Sequence, residues 1–162
     1  MTDTTSLRLT GSPQMGKMFD QANHALRVRT AGPGFTEITA EVRAWLEAIA
    51  ARDGLLTLFI AHTSASLTIQ ENADVDVRLD LRDALDGLAP QSAPYRHGSE
   101  GPDDMPAHIK AMLTSVSLSI PVIEGRTALG IWQGIYVIEH RECPRGRKVE
   151  LHFIGTRQTS AV

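Results

Sequence analysis

From Ala25 to Thr30 the chain alternates apolar and polar side chains, so a strand over Asn23–Thr30 places Leu26 and Val28 on one face. Ala31-Gly32-Pro33-Gly34 ends it. Thr36 then offers a cap to a helix beginning at Glu37, in which Ile38, Val42, Trp45, Leu46 and Ile49 recur at helical spacing until Gly54 stops it. Leu55 to Ala61 is an unbroken apolar run of strand length, the pattern of a strand buried on both faces. From His62 to Gln70 alternation returns: Ala65, Leu67 and Ile69 share one face, and Ser64, Ser66, Thr68 and Gln70 share the other with His62. Asp74 caps the next helix, whose buried stripe is Val77, Leu81, Ala84, Leu85 and Leu88; Asp76, Arg78, Asp80, Arg82 and Asp83 form its solvated face.

Tyr95 to His108 breaks every such pattern. Glycines and prolines punctuate it, and Arg96, His97, Glu100, Asp103, Asp104 and His108 give it charge with little to bury. Ordered loops on rigid scaffolds are where chemistry tends to sit. Its end opens a short helix through Ile109, Met112 and Leu113, capped by Asp103 or Asp104, with Pro106 tolerated in the first turn. Ser117 to Val122 reads as a strand stopped at Glu124-Gly125. Leu129 to Arg141 is a long strand pattern in which Gly134 marks a bulge or a close backbone approach. After the turn at Pro144-Arg145-Gly146, Val149, Leu151 and Phe153 alternate with Lys148, Glu150 and His152. About seven strands and three helices, not regularly alternating, predict an α+β fold built on a mostly antiparallel sheet or sandwich. Residues 1–19 read as a flexible leader, with Met15 and Met18 as alternative starts, 20–156 as a single domain and 157–162 as a tail.

Composition narrows the functional classes. A chain of 162 residues suits one domain, and 42% hydrophobic with 22% charged residues is ordinary for a soluble protein. Net charge is −3, the pI is about 6.0 and aromatics are 5%, so neither a basic field nor a base-stacking surface points to nucleic acid. The Arg-rich piece Arg141 to Lys148 is the local exception. No apolar run approaches the roughly 20 residues of a membrane span. One cysteine, Cys143, permits no internal disulfide and fits a reducing cytoplasm. Neither G-x-x-x-x-G-K-[ST] nor G-x-G-x-x-G occurs, so no nucleotide cofactor is expected.

Six histidines carry the remaining signal. His24 and His152 fall at polar positions of terminal strands and read as exposed structural residues. His62, His97, His108 and His140 each border a strand end or a loop-to-helix junction. With Ser64, Asn72, Asp103, Asp104 and Gln133 they are candidates for one polar cleft, whose neutral imidazoles and carboxylates suit a divalent metal or acid–base work near neutral pH. Spacing alone fixes no metal site, because no compact His-x-x-x-His occurs. A phosphate group suits the same region: the helix opened by Asp103-Asp104 presents backbone N–H groups, Gly98 and Gly101 allow close approach, and His97, His108 and Arg141 supply charge-assisted hydrogen bonds. The acids compete for those N–H groups, and a magnesium ion between carboxylate and phosphate resolves the conflict. Gln133 and His140 have opposite strand parity, so both face one cleft only through a bulge at Gly134 or across a subunit boundary.

Four segments in order, His62-Thr63-Ser64-Ala65-Ser66-Leu67-Thr68 with Glu71-Asn72, Glu100 through Lys110, Gly130 through Tyr136, and Glu139-His140-Arg141, resemble the YjbQ family, described as secondary thiamine-phosphate synthases. The resemblance spans about residues 20 to 155; the leader before Met18 looks longer than usual and the tail after Ile154 is outside the pattern. It implies an α+β domain assembling as a homotrimer. It also implies joining of an aminopyrimidine diphosphate to a thiazole phosphate with release of pyrophosphate, a step that needs a departing diphosphate stabilised. By that resemblance His62, His97, His108, Asp103 and Asp104 form the catalytic set, and His62, His97, His108 and Arg141 meet the anionic groups. Ser64, Asn72, Gln133, His140 and Arg141 bind substrate. A divalent metal, Mg²⁺ or Zn²⁺, would sit on Asp103 or Asp104, or on His62, His97 and His108. The competing readings are a metal-dependent hydrolase using three histidines and a non-catalytic binder of a phosphorylated metabolite.

Overall fold

The computed structural model describes residues 19–158; the expected leader lies outside them save Phe19, and of the expected tail Arg157 and Gln158 are described, Arg157 as the last residue of the final strand. Among the described residues the elements run β1 (Asp20–Thr30), β2 (Gly34–Glu37), α1 (Thr39–Ala48), β3 (Ala51–Ile60), β4 (Ala65–Glu71), α2 (Val75–Leu88), α3 (Asp104–Leu113), β5 (Ser117–Ile123), β6 (Arg126–Thr127), β7 (Gln133–Glu139) and β8 (Arg145–Arg157). They build two antiparallel sheets, ordered β1-β8-β3-β5-β6 and β2-β7-β4. This is the α+β, mostly antiparallel architecture that the alternation predicts. The inner face of the larger sheet, including Val28, Leu56, Leu58, Ile120, Leu151 and Phe153, meets Ala65, Leu67, Ile135 and Val137 of the smaller sheet, Val42 and Leu46 of α1, and Ile38 just before that helix. Against the other side of the smaller sheet lie α2 and α3.

Several local expectations give way to tertiary pairing. Thr36 does not cap α1; it pairs with Val137 in β2, and the helix starts at Thr39 with no side-chain cap. Thr39 instead donates to Glu37 Oε1 at 2.8 Å and accepts from Ile135 N at 2.8 Å. Nor does Gly54 stop the helix, because Ala50 turns the chain in the left-handed region at φ 53° and β3 begins one residue later. β3 is buried on one face only. Leu56, Leu58 and Ile60 are enclosed, whereas Leu55 and Phe59 point away from the core, since among the described residues no layer lies beyond the larger sheet. The stripe of α2 is likewise half covered at Val77, Leu81 and Leu85 and open at Leu88, because the helix lies along an edge. Asp74 does cap α2, accepting from Asp76 N at 2.9 Å.

Gly134 causes no bulge. Pairing of β7 with β4 runs unbroken from Gln133 to Glu139, and the glycine is there for close approach: a Cβ would sit 2.9 Å from Glu37 Oε1 and 3.0 Å from the Tyr136 ring. A tighter approach joins β3 to β8, where Gly54 and Gly155 face one another and a Cβ on either would lie 2.7 Å from the other's Cα. Backbone cannot yield there as a flexible side chain can. Gly54→Ala is therefore expected to cost about 2 kcal/mol or more in urea unfolding, while Gly146→Ala, with nothing near its Cβ, leaves the midpoint nearly unchanged.

Candidate functional site

The last residue of β7 and the two that follow it go to three different places. Glu139 has the inward parity of Ile135 and Val137, and it is 1% exposed. Its Oε2 accepts from Thr30 Oγ1 at 2.6 Å and Arg147 Nε at 2.7 Å, and its Oε1 from the backbone N–H groups of His140 and Arg141 at 3.0 Å, with Arg147 Nη2 bonded there as well. Burial works to raise the Glu139 pKa, but the Arg147 guanidinium and the Thr30 hydroxyl outweigh it and hold the carboxyl below its usual range.

His140 faces the opposite way, toward α3, with Nε2 2.9 Å from Ser66 Oγ. Burial, aided by the charge of Lys110 from α3, lowers its pKa from 6.5 to about 4. Glu139, Arg147 and Asp86 add smaller effects of both signs. Lys110, itself buried, is paired with Asp86 of α2.

Arg141 ties the end of β7 to the start of α3. Its Nε donates to Asp103 Oδ2 at 2.9 Å, Nη2 to the Glu100 carbonyl at 2.9 Å, and Nη1 to Asp104 Oδ1. Asp103 also accepts from Glu142 N at 3.0 Å, so this carboxylate holds the β7–α3 junction rather than capping the helix. Burial opposes ionisation of Asp103, yet Arg141 and the Glu142 N–H keep its pKa below the usual value. Arg141, buried and occupied by carboxylates, is placed to orient Asp104 rather than to receive an anion.

The other oxygen of Asp104 faces two imidazoles. His97 Nε2 lies 2.8 Å from Asp104 Oδ2 and His108 Nε2 3.6 Å from it, the latter one helical turn along α3. The two rings stand edge to face with centroids 5.7 Å apart. All three ligand atoms fall within 4.8 Å of one another. Asp104 is buried while His97 and His108 side chains are 46% and 35% exposed, so the group is rigid beneath and open above.

The remaining candidates lie elsewhere in the chain. His62 is in the β3–β4 connection, not in a strand, and its Nε2 accepts from Lys148 N at 2.9 Å; burial and the nearby Arg147 charge lower its pKa. Ser64 accepts from Arg147 Nη2 through its carbonyl at 3.1 Å and its hydroxyl at 3.2 Å. Asn72 and Gln133 sit at the far end of the β4–β7 pair, the length of β7 away from Arg141, and Gln133 Oε1 accepts from Gly130 N at 2.8 Å. Within one chain the structure thus gathers His97, Asp104 and His108, adds Asp103 and Arg141 behind them, and keeps His62, Asn72 and Gln133 apart from the group. Glu139 figures in the sequence only as part of the Glu139-His140-Arg141 segment and Arg147 only in the Arg-rich piece, with no role assigned to either, yet both share the parity of buried apolar neighbours, and an ionisable residue at such a position is itself a signal.

Fold and donor set define a class: a small two-sheet α+β protein with a His–Asp–His cluster at a helix start. The UPF0047 YjbQ-like family profile matches residues 24–156. A UPF0047 protein of Synechocystis is 44% identical over 138 residues, covering 85% of this chain and 94% of its own. The YjbQ protein of Salmonella typhimurium is 46% identical over 117 residues, covering 72% and 85%. A crystal structure of a YjbQ/UPF0047 protein from Clostridium acetobutylicum superposes with TM-score 0.72 at 37% identity, covering 82% of this chain and 98% of that one. The chain belongs to the YjbQ-like UPF0047 family.

His140 generates a pH prediction. Between pH 6.5 and about 4 the unfolded chain takes up a proton that the folded chain refuses, so this contribution is full above 6.5 and is lost as pH falls through that window. The pKa difference corresponds to about 3 kcal/mol. Urea unfolding at a series of pH values should show the decline, and His140→Gln should flatten it.

Proposed function

We propose that this protein is a divalent-metal-dependent enzyme acting on phosphorylated small molecules, with His97, Asp104 and His108 as the metal ligands. The observation that carries the reading is the convergence of two imidazole nitrogens and one carboxylate oxygen on an open point above a buried anchor. Three protein ligands with free positions are the pattern of catalytic rather than structural metal sites. The nitrogen-rich set suits Zn²⁺ or a similar transition ion better than Mg²⁺, which takes oxygen ligands. When bound, such an ion neutralises charge on a phosphate oxygen.

The chain's own residues do the rest. Asp104 offers Oδ2 outward because Arg141 holds Oδ1, and Asp103 and Glu100 hold Arg141 in turn. The reaction best matched is the transfer implied by the family resemblance, in which an aminopyrimidine diphosphate gives up pyrophosphate to a thiazole phosphate. A hydrolase reading draws support from the openness of the same donor set. A cytoplasmic setting belongs to the proposal, with exposed Cys143 kept as a thiol; among the described residues no helix is long and apolar enough to cross a membrane.

Metal binding to chelator-stripped protein, followed by calorimetry with Zn²⁺, is expected to show one site that His97→Ala or Asp104→Asn abolishes and Arg141→Lys weakens by about tenfold or more. Pyrophosphate release from the two phosphorylated precursors should fall in the same order. Release of inorganic phosphate or pyrophosphate from the diphosphate alone would favour the hydrolase, and tight zinc binding by Asp104→Asn would remove the basis of both.

The homotrimer is part of the same proposal. Leu55, Phe59, Ile123 and Ile154 lie exposed on the outward face of the larger sheet, an apolar surface that a second copy of the chain would cover. Light scattering is expected to give three times the chain mass for the native protein, and Phe59→Asp to shift it toward the single chain.

A further inference from the structure

A cavity of about 760 Å³ opens where α1, the start of β3 and the β5–β6 turn meet, a size that accommodates small molecules. It is remote from the His–Asp–His cluster. Arg147, bonded to Glu139 near that cluster's end of β7, and Arg157, paired with Ala51 in the cavity wall, are ten residues apart on β8, a span of roughly 30 Å.

Three arginines from three elements line the cavity: Arg43 of α1, Arg52 of β3 and Arg126 of β6. None of them forms an ion pair among the described residues, whereas Arg82, Arg141, Arg147 and Arg157 each rest on a carboxylate. Glu47 and Glu124 line the same cavity without pairing to the three, leaving an excess of positive charge. Thr127 also belongs to the wall. It lines the cavity at 8% exposure, and its Oγ1 is buried with no hydrogen-bond partner among the described residues. An enclosed hydroxyl left unbonded is destabilising.

The walls are preformed. Gly125 N donates to Arg52 O at 2.7 Å, Gln158 N to Ala50 O at 2.8 Å, and Glu124 N to Asp53 Oδ1 at 2.9 Å. Ala50 and Glu124 are both held in the left-handed region, at φ 53° and 51°, conformations that cost energy in residues bearing a Cβ.

We propose that this cavity is an oxyanion-binding site for a phosphorylated small molecule, distinct from the His97–Asp104–His108 cluster. Guanidinium groups from three directions match the oxygens of a phosphate or diphosphate. Glu47 and Glu124 accept from hydroxyl or ammonium groups on the remainder of the ligand. The site holds whether or not the cluster at α3 binds metal.

Calorimetry on the full chain in chelator, without metal, with inorganic pyrophosphate as probe and sodium chloride at matched ionic strength as control, tests it. One saturable site is expected, weakened at least tenfold in Arg52→Gln/Arg126→Gln and unaffected in His97→Ala. Thr127→Val, which removes a buried unbonded hydroxyl without touching the arginines, should raise the melting temperature of the unliganded protein and leave pyrophosphate binding in place. No saturable binding by the native chain, equal binding by the double variant, or loss of binding in His97→Ala would each overturn the proposal.

Discussion

The candidate site depends on the burial of one guanidinium. Arg141 sits at the end of the central strand of the smaller sheet and is met by two carboxylates and a carbonyl from the loop that opens α3. Taking an arginine out of water costs several kcal/mol unless its donors are bonded. The loop around Glu100 to Asp104 is therefore drawn onto the sheet, and the helix behind it starts where Arg141 requires. His108 follows one turn later on that helix, and His97 reaches the same carboxylate from the loop. A polar segment with almost no apolar anchor thus acquires a fixed position through charge.

This arrangement also explains why two aspartates stand side by side. Asp103 spends both oxygens on Arg141 and one of them on Glu142 N as well, closing the junction. Asp104 spends only one oxygen on Arg141 and turns the other toward the imidazoles. One residue secures the hinge and its neighbour keeps a free lone pair beside two ring nitrogens. Arg141 is consequently a positioning residue, which differs from the anion-binding role that its charge suggests on paper.

Much of this was legible from the pattern of apolar residues. Alternation in β4 and β8, the Asp74 cap and the polar stretch from Tyr95 to His108 all correspond to observed elements, because each signal is local. Thr36 and Gly54 misled for the opposite reason: a cap residue and a helix stop are also acceptable in strands once β7 and β8 offer partners. The apolar run Leu55 to Ala61 looks the same whether its second face meets a layer of its own chain or a surface left open. The His97–Asp104–His108 cluster is itself local, formed by the loop and the first turn of α3, whereas His62 is placed by a bond from Lys148 N in a strand distant in the chain, which no local pattern signals.

Strand register links the core to the site more tightly than any single bond. Along β7 the side-chain period of two sends Glu139 inward to Arg147 and Thr30 and His140 outward to Ser66. A slip of one residue would exchange them, burying the imidazole against the Arg147 guanidinium and turning the carboxylate toward α3. The exchange leaves the Arg147 guanidinium buried without its carboxylate, so the slipped pairing is penalised on the core face of the smaller sheet. The buried Glu139–Arg147 pair adds little net stability by its attraction alone. Its larger effect is to reject wrong registers, and the correct register is what brings Arg141 opposite Asp103 and Asp104.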